Sequence, residues 1–166
     1  CFMLRTWQGF EDKASAFASC ADRAYEQYGM TPVFLSLNIF HDTSAAQKVA
    51  QKMKAPYHIL DDWAEPELLI GLLGHMDVVV SMRLHGLIFS SLSGVPLVGV
   101  AYDPKIGSFL KYLEAGTCIE LGDVNEEALN NAVKHAVELL PQREKLQEKA
   151  QKLKDMERQN IQAVER

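Results

Sequence analysis

Cysteine is scarce in this chain of 166 residues: Cys1, Cys20 and Cys118, an odd number with no CxxC spacing. That pattern gives no disulfide framework and no thiolate metal site, and it suits a reducing compartment. Positive charge is also in deficit. The 17 Lys and Arg against 22 Asp and Glu leave a net charge of −5, which argues against nucleic acid or an anionic membrane as a partner recognised by bulk charge. Any cationic site must therefore be local. No apolar run is long enough to span a bilayer. The best candidate, residues 87–102, is interrupted by Ser90, Ser91, Ser93, Gly94 and Pro96, so no transmembrane segment is expected. The HExxH, Walker, GxGxxG and GxSxG patterns are all missing. Neither a metal nor a cofactor is called for by spacing.

What is present is an alternation of short apolar runs with helical periodicity. Strands are expected at Phe2-Met3-Leu4, residues 32–37, Tyr57-His58-Ile59-Leu60, Asp77-Val78-Val79-Val80, residues 96–100 and Cys118-Ile119-Glu120-Leu121. Between them fall helices over residues 11–28, closed by Gly29, over 42–54 with Asp42 as N-cap, over 65–73, over 84–93, closed by Gly94, and one opened by Asp103-Pro104. Asn125 caps a helical tail that breaks near Pro141. Six strands alternating with helices predict an α/β domain with a mostly parallel sheet. Unbroken apolar runs such as Val78-Val79-Val80 suit a sheet covered on both faces. Length and the lack of linkers predict one domain over 1–166, with 125–166 as its C-terminal helical tail. In the tail, Leu146, Ala150, Leu153, Met156 and Ile161 make a narrow apolar stripe, which either folds back on the domain or crosses to a partner.

The chemistry gathers in Ser81-Met82-Arg83-Leu84-His85-Gly86 and in Tyr102-Asp103-Pro104-Lys105. Arg83 and His85 leave one apolar strand, and Lys105 follows the next. Neighbouring parallel strands end on one edge, where such folds bind ligands, so the three cations can converge on an anion. A helix N-terminus there adds N–H donors, and an arginine fork grips carboxylate or phosphate. His85 can serve as a proton donor once an anionic ligand beside it favours imidazolium. The plainer alternative is a partly buried His and an Arg paired to an acid. Lys105 sits in the first turn of its helix, where the dipole prefers acids, so it is either solvated or held for a ligand. Asp103 is accounted for as an N-cap. Tyr102 lines the pocket or joins the core. Arg5 ends the first strand as a fourth cation or as a core-edge residue, and His41 faces the ligand edge or lies in a loop. His58, His75 and His135 read as structural.

The run Val78 to Lys105, with RLHGLIFSSLSGVPLVGVAYDPK, resembles the C-terminal half of the polysaccharide pyruvyl transferase family. The likeness extends more weakly to the opening strand with Arg5, the Phe40-His41-Asp42 turn and the Asn160-containing last helix. It implies a Rossmann-like three-layer domain, one of two halves arranged as in GT-B glycosyltransferases. The chain is thus expected to be the second half of a longer enzyme, with the N-terminal half as partner and inactive without it. The resemblance implies transfer of pyruvate from phosphoenolpyruvate to a sugar as a cyclic ketal, with phosphate released. The acceptor would be a cell-wall or capsular saccharide, often lipid-linked, and the enzyme cytoplasmic or peripheral at the inner membrane face. By the same resemblance His85 is the proton donor, and Arg83 and Lys105 bind anionic groups. Gly86 after the His, where a small residue but not especially Gly is expected, either admits a closer ligand approach or marks a divergent member with another acceptor.

Two other functions fit the composition. One is the nucleotide-sugar-binding half of a GT-B glycosyltransferase or related epimerase; the missing Gly-rich phosphate loop and the YDPK run weigh against it. The other is a non-catalytic binding module, against which the intact Arg83, His85 and Lys105 weigh.

Overall fold

A computed structural model describes residues 1–61 and 66–164; the side chains at 39–41, 66–67 and 157–164 lie outside that description. The strands are β1 (Phe2–Met3), β2 (Val33–Leu35), β3 (His58–Leu60), β4 (Val79–Ser81), β5 (Leu97–Ala101) and β6 (Thr117–Glu120). The helices are α1 (Ala14–Tyr28), α2 (Ile39–Ala50), α3 (Pro66–Gly74), α4 (Leu84–Ser91), α5 (Pro104–Leu113), α6 (Glu126–Glu138) and α7 (Arg143–Val164). All six strands pair in parallel, in the order β3-β2-β1-β4-β5-β6. That is the Rossmann-like order, and its direction reverses between β1 and β4.

Each central strand sends alternate residues to two apolar layers. Phe2, Leu4, Val80, Met82, Val98 and Val100 join α1, α2 and α6 on one face. Met3, Val79, Leu97 and Ala101 join α4, α5 and the start of α7 on the other. Because both faces are covered, β5 is buried along its whole length, which is why these strands read as unbroken apolar runs. The edge strand β6 alternates half-buried and exposed positions instead.

Local signals set most element ends. Gly29 closes α1 in the left-handed region at φ 67°, its N–H donating to the Tyr25 carbonyl at 3.0 Å. The Asp103 carboxylate accepts from the Lys105 N–H at 2.8 Å, with Pro104 as the first helical residue. The Asn125 side chain accepts from the Ala128 N–H at 2.9 Å, and Pro141 lies in the 3-10 turn that separates α6 from α7.

Other expectations are corrected. Residues 11–13 form a 3-10 turn before α1 begins. The fourth strand starts at Val79, leaving Asp77 exposed outside it. Asp42 does not cap α2 from outside. The helix begins at Ile39, and the Asp42 N–H already donates to the Asn38 carbonyl at 2.8 Å. The tail stripe turns inward at Ala150 and Leu153 against α5 and its neighbours, whereas Met156 is exposed. Ile161 has its side chain outside the described residues. Arg143 anchors this packing, donating to the carbonyls of Gly74 at 2.6 Å, Met76 at 3.2 Å and Ser93 at 3.3 Å.

Candidate active site

Arg5, Arg83 and Tyr102 sit just beyond the C-terminal ends of β1, β4 and β5, three neighbouring strands. His85 and Lys105 each lie in the second position of the helix that follows, α4 and α5. Strand order thus puts all five residues on one edge of the sheet, beside the β1/β4 switch point where open parallel sheets form a crevice.

The exit of β4 is held tightly. Ser81 is fully buried, and its Oγ accepts from the Arg83 N–H at 2.9 Å while donating to the Arg83 carbonyl at 2.8 Å. Arg83 is the extended residue before α4 and provides no side-chain cap. The first N–H groups of α4 thus lack the carboxylate that α5 receives from Asp103. The start of α4 therefore keeps free N–H donors of the kind that suit an anion, whereas Asp103 occupies one at the start of α5.

Two side-chain bridges lock the edge, each skipping one strand. Arg83 reaches from β4, past the end of β1, to Asp42 on the helix that follows β2. Its Nε donates to both Asp42 carboxylate oxygens at 3.0 Å, and its Nη2 pairs with Oδ1. Asp42 is 1% exposed and also accepts from the Asn38 N–H at 3.0 Å. Arg5 reaches the other way, past β4, and its Nη1 donates to the Tyr102 hydroxyl at 2.6 Å. Its guanidinium carbon lies 5.0 Å from the Trp7 ring centre and 4.9 Å from that of Tyr102. The Arg5 Nε is buried and has no hydrogen-bond partner.

His85 is exposed, with its ring 6.0 Å from that of Phe89 one helical turn on. Lys105 is exposed, and only its backbone N–H is engaged. His41 lies in the first turn of α2, but its side chain is outside the described residues. His58, His75 and His135 are all exposed and away from this edge, and His135 faces Glu138 on its own helix.

Gly86 proves to face the sheet. A Cβ there would lie 2.5 Å from Met3 Cε and 2.9 Å from Ser81 Oγ. The glycine lets α4 settle against β1 and β4, and the expected close approach to a ligand is corrected accordingly. Sequence reasoning missed two residues. Asp42 was read as a cap; its signal was a carboxylate in the turn after a strand that would neighbour the cationic edge. Trp7, two residues beyond Arg5, was passed over altogether.

Cys20 offers no nucleophile, since burial pushes its thiol up to about 12. The Cys118 thiol is also raised, by partial burial and then by Glu120. Among the described residues no three His, Cys, Asp or Glu side chains are grouped to hold a metal.

The Asp42–Arg83 pair yields a direct expectation. Asp42→Asn loses the charge and one of the two acceptors that hold the guanidinium. Stability in urea should fall by about 2 kcal/mol, and the affinity of the edge for anions should fall with it, since Arg83 loses its orientation. Unchanged stability and unchanged binding of inorganic phosphate would show that the pair does not position Arg83.

The fold is a Rossmann-like α/β domain of the kind that makes up one half of GT-B glycosyltransferases. Two solved glycosyltransferases share it. VinC, determined in complex with dTDP, superposes with a TM-score of 0.63 at 15% identity, covering 99% of this chain and 41% of VinC. The glycotransferase of kitacinnamycin superposes with a TM-score of 0.57 at 16% identity, covering 83% and 35%. The chain thus spans about two fifths of the length of VinC. No curated protein matches it. Residues 1–104 match the polysaccharide pyruvyl transferase family, and the chain belongs to that family. The matched span holds Arg5, Asp42, Arg83, His85 and Tyr102, and stops one residue short of Lys105.

Proposed function

We propose that this chain is the C-terminal half of an enzyme that transfers the pyruvyl group of phosphoenolpyruvate to two hydroxyls of a saccharide, giving a cyclic ketal and inorganic phosphate. One observation carries the reading. Arg83 and His85 flank the uncapped start of α4 at the β1/β4 switch point, with Arg5 from the adjacent strand and Lys105 from the next. A small dianionic or trianionic ligand fits that edge better than any neutral one.

His85, as imidazolium, gives its proton to the terminal vinyl carbon, which becomes the methyl group. Positive charge develops on the neighbouring carbon, and the first sugar hydroxyl adds there and returns a proton to the imidazole. Expulsion of phosphate regenerates the electrophilic carbon. The second hydroxyl closes the ring, and its proton leaves with the phosphate. Arg83 and Lys105 hold the phosphate and carboxylate throughout and stabilise charge as it moves to the leaving group. The other wall of the cleft would come from the N-terminal half. No helix among the described residues is long and apolar enough to cross a membrane. We further propose, from the family resemblance and not from this absence, a cytoplasmic reaction with the saccharide brought on a lipid carrier at the inner membrane face.

Thermal unfolding of the full-length enzyme tests the donor. Saturating phosphoenolpyruvate, at about a hundred times its Kd, should stabilise the protein by about 2.7 kcal/mol and raise Tm by several degrees. UDP or UDP-sugars at the same concentration should do far less. Preferential stabilisation by UDP would transfer the site to a nucleotide-sugar enzyme.

A further inference from the structure

Trp7 is 44% exposed at the same sheet edge, yet it is held in place. Its carbonyl accepts from the Phe10 N–H at 3.0 Å across a turn that Gly9 permits at φ 81°, and Phe10 is fully buried. Its ring centre lies 4.5 Å from that of Tyr102, with the Arg5 guanidinium over both rings. The cluster joins the loop after β1 to the end of β5, across the exit of β4 from which His85 emerges.

Arg5 behaves unlike Arg83. Arg83 spends its Nε and Nη2 on a buried carboxylate, whereas Arg5 has no carboxylate partner among the described residues and makes one hydrogen bond there. Its buried Nε is unpaired. A purely structural arginine at this depth would be paired. The cluster therefore combines a part-exposed indole with a guanidinium that has no carboxylate among the described residues to balance its charge. Phosphoenolpyruvate is small and carries charged oxygens all round, so it has little to place on an indole. A pyranose does: one of its faces presents C–H groups, and its rim presents hydroxyl oxygens.

From this we propose that Trp7, Arg5 and Tyr102 form the subsite for the acceptor saccharide. Trp7 stacks on the C–H face of the ring, and Arg5 donates to its oxygens. Tyr102 fixes Arg5 between the rings. The saccharide is thereby set over the β4 exit, with its hydroxyls toward the carbon that His85 activates. This inference rests on the pyruvyl-transfer reading for its purpose, but the binding it describes can be measured separately.

The chain has two tryptophans, Trp7 and Trp63, so Trp63→Phe leaves Trp7 as the sole indole reporter. Titration of that variant with methyl pyranosides (galactoside, glucoside, and N-acetylated gluco- and mannopyranosides) should change Trp7 emission saturably for at least one of them. The midpoint should be on the order of 1 mM, as expected for a ligand of that size. Sorbitol should have no effect, and Arg5→Lys should weaken the response. No response to any pyranoside, or a stronger response to UMP, would overturn the subsite. In the full-length enzyme, Trp7→Ala should raise the KM for the acceptor about tenfold or more and leave that for phosphoenolpyruvate unchanged, with Trp7→Phe close to the parent. A Trp7→Ala enzyme with unaltered acceptor KM sinks this inference while pyruvyl transfer stands. Pyranoside binding without phosphate release from phosphoenolpyruvate sinks pyruvyl transfer while the subsite stands.

Discussion

His85→Ala in the full-length enzyme should slow phosphate release from phosphoenolpyruvate by about 10²–10⁴-fold, the usual range for loss of a positioned general acid, without lowering the unfolding midpoint. The structural half of that expectation follows from what His85 does not do. Its side chain is exposed, and among the described residues neither ring nitrogen has a protein partner. Among them its ring contact is with Phe89, four residues along the same helix, a pairing worth about 0.2–0.5 kcal/mol. Alanine is the stronger helix former and offsets it. A large rate loss with an unchanged midpoint in thermal or urea unfolding therefore reports chemistry. His85→Gln keeps the size and polarity but cannot supply imidazolium, so it should be as inactive as the alanine variant. Turnover near the parental rate in either variant would remove His85 from the acid role.

The second large effect concerns stability and is read by comparing two glycines. Gly29 and Gly94 both have φ 67°, so alanine at either must adopt the left-handed region, which costs about 1–2 kcal/mol. At Gly29 the added Cβ meets open space, and Gly29→Ala should lose about that much and no more. At Gly94 the Cβ would lie 2.1 Å from the Arg143 carbonyl oxygen. That atom is backbone and cannot rotate away. The start of α7 must move, and with it the guanidinium that satisfies the carbonyls of Gly74, Met76 and Ser93. Gly94→Ala should then cost about 3–5 kcal/mol, a large share of the 5–15 kcal/mol typical of a domain. Urea unfolding of the two variants side by side checks this. Equal losses would show that α7 is not locked against the end of α4.

This lock depends on residues outside the family match, which ends at residue 104. It seats the first turns of α7 on the layer that holds α4, and α4 carries His85. Stability of the tail and placement of His85 are thus coupled through one helix.

The amino-acid sequence alone determined the order of strands and helices and most of the element ends. Asp103, Asn125, Gly29 and Gly94 act on atoms two to five residues away, and the apolar runs follow from a sheet buried on both faces. It also determined which residues stand at strand exits, so Arg5, Arg83, His85, Tyr102 and Lys105 could be named from position. The tertiary structure decided their partners. Arg83 meets Asp42 across 41 residues and Arg5 meets Tyr102 across 97. Both bridges exist because β1 lies between β2 and β4, and β4 between β1 and β5. No periodicity in a single strand encodes its neighbour, so Asp42 read as a cap, Gly86 as a ligand contact, and Trp7 as nothing. Local signals are short-range hydrogen bonds and steric limits, legible in one stretch of chain. The site depends on which distant stretches the sheet sets side by side.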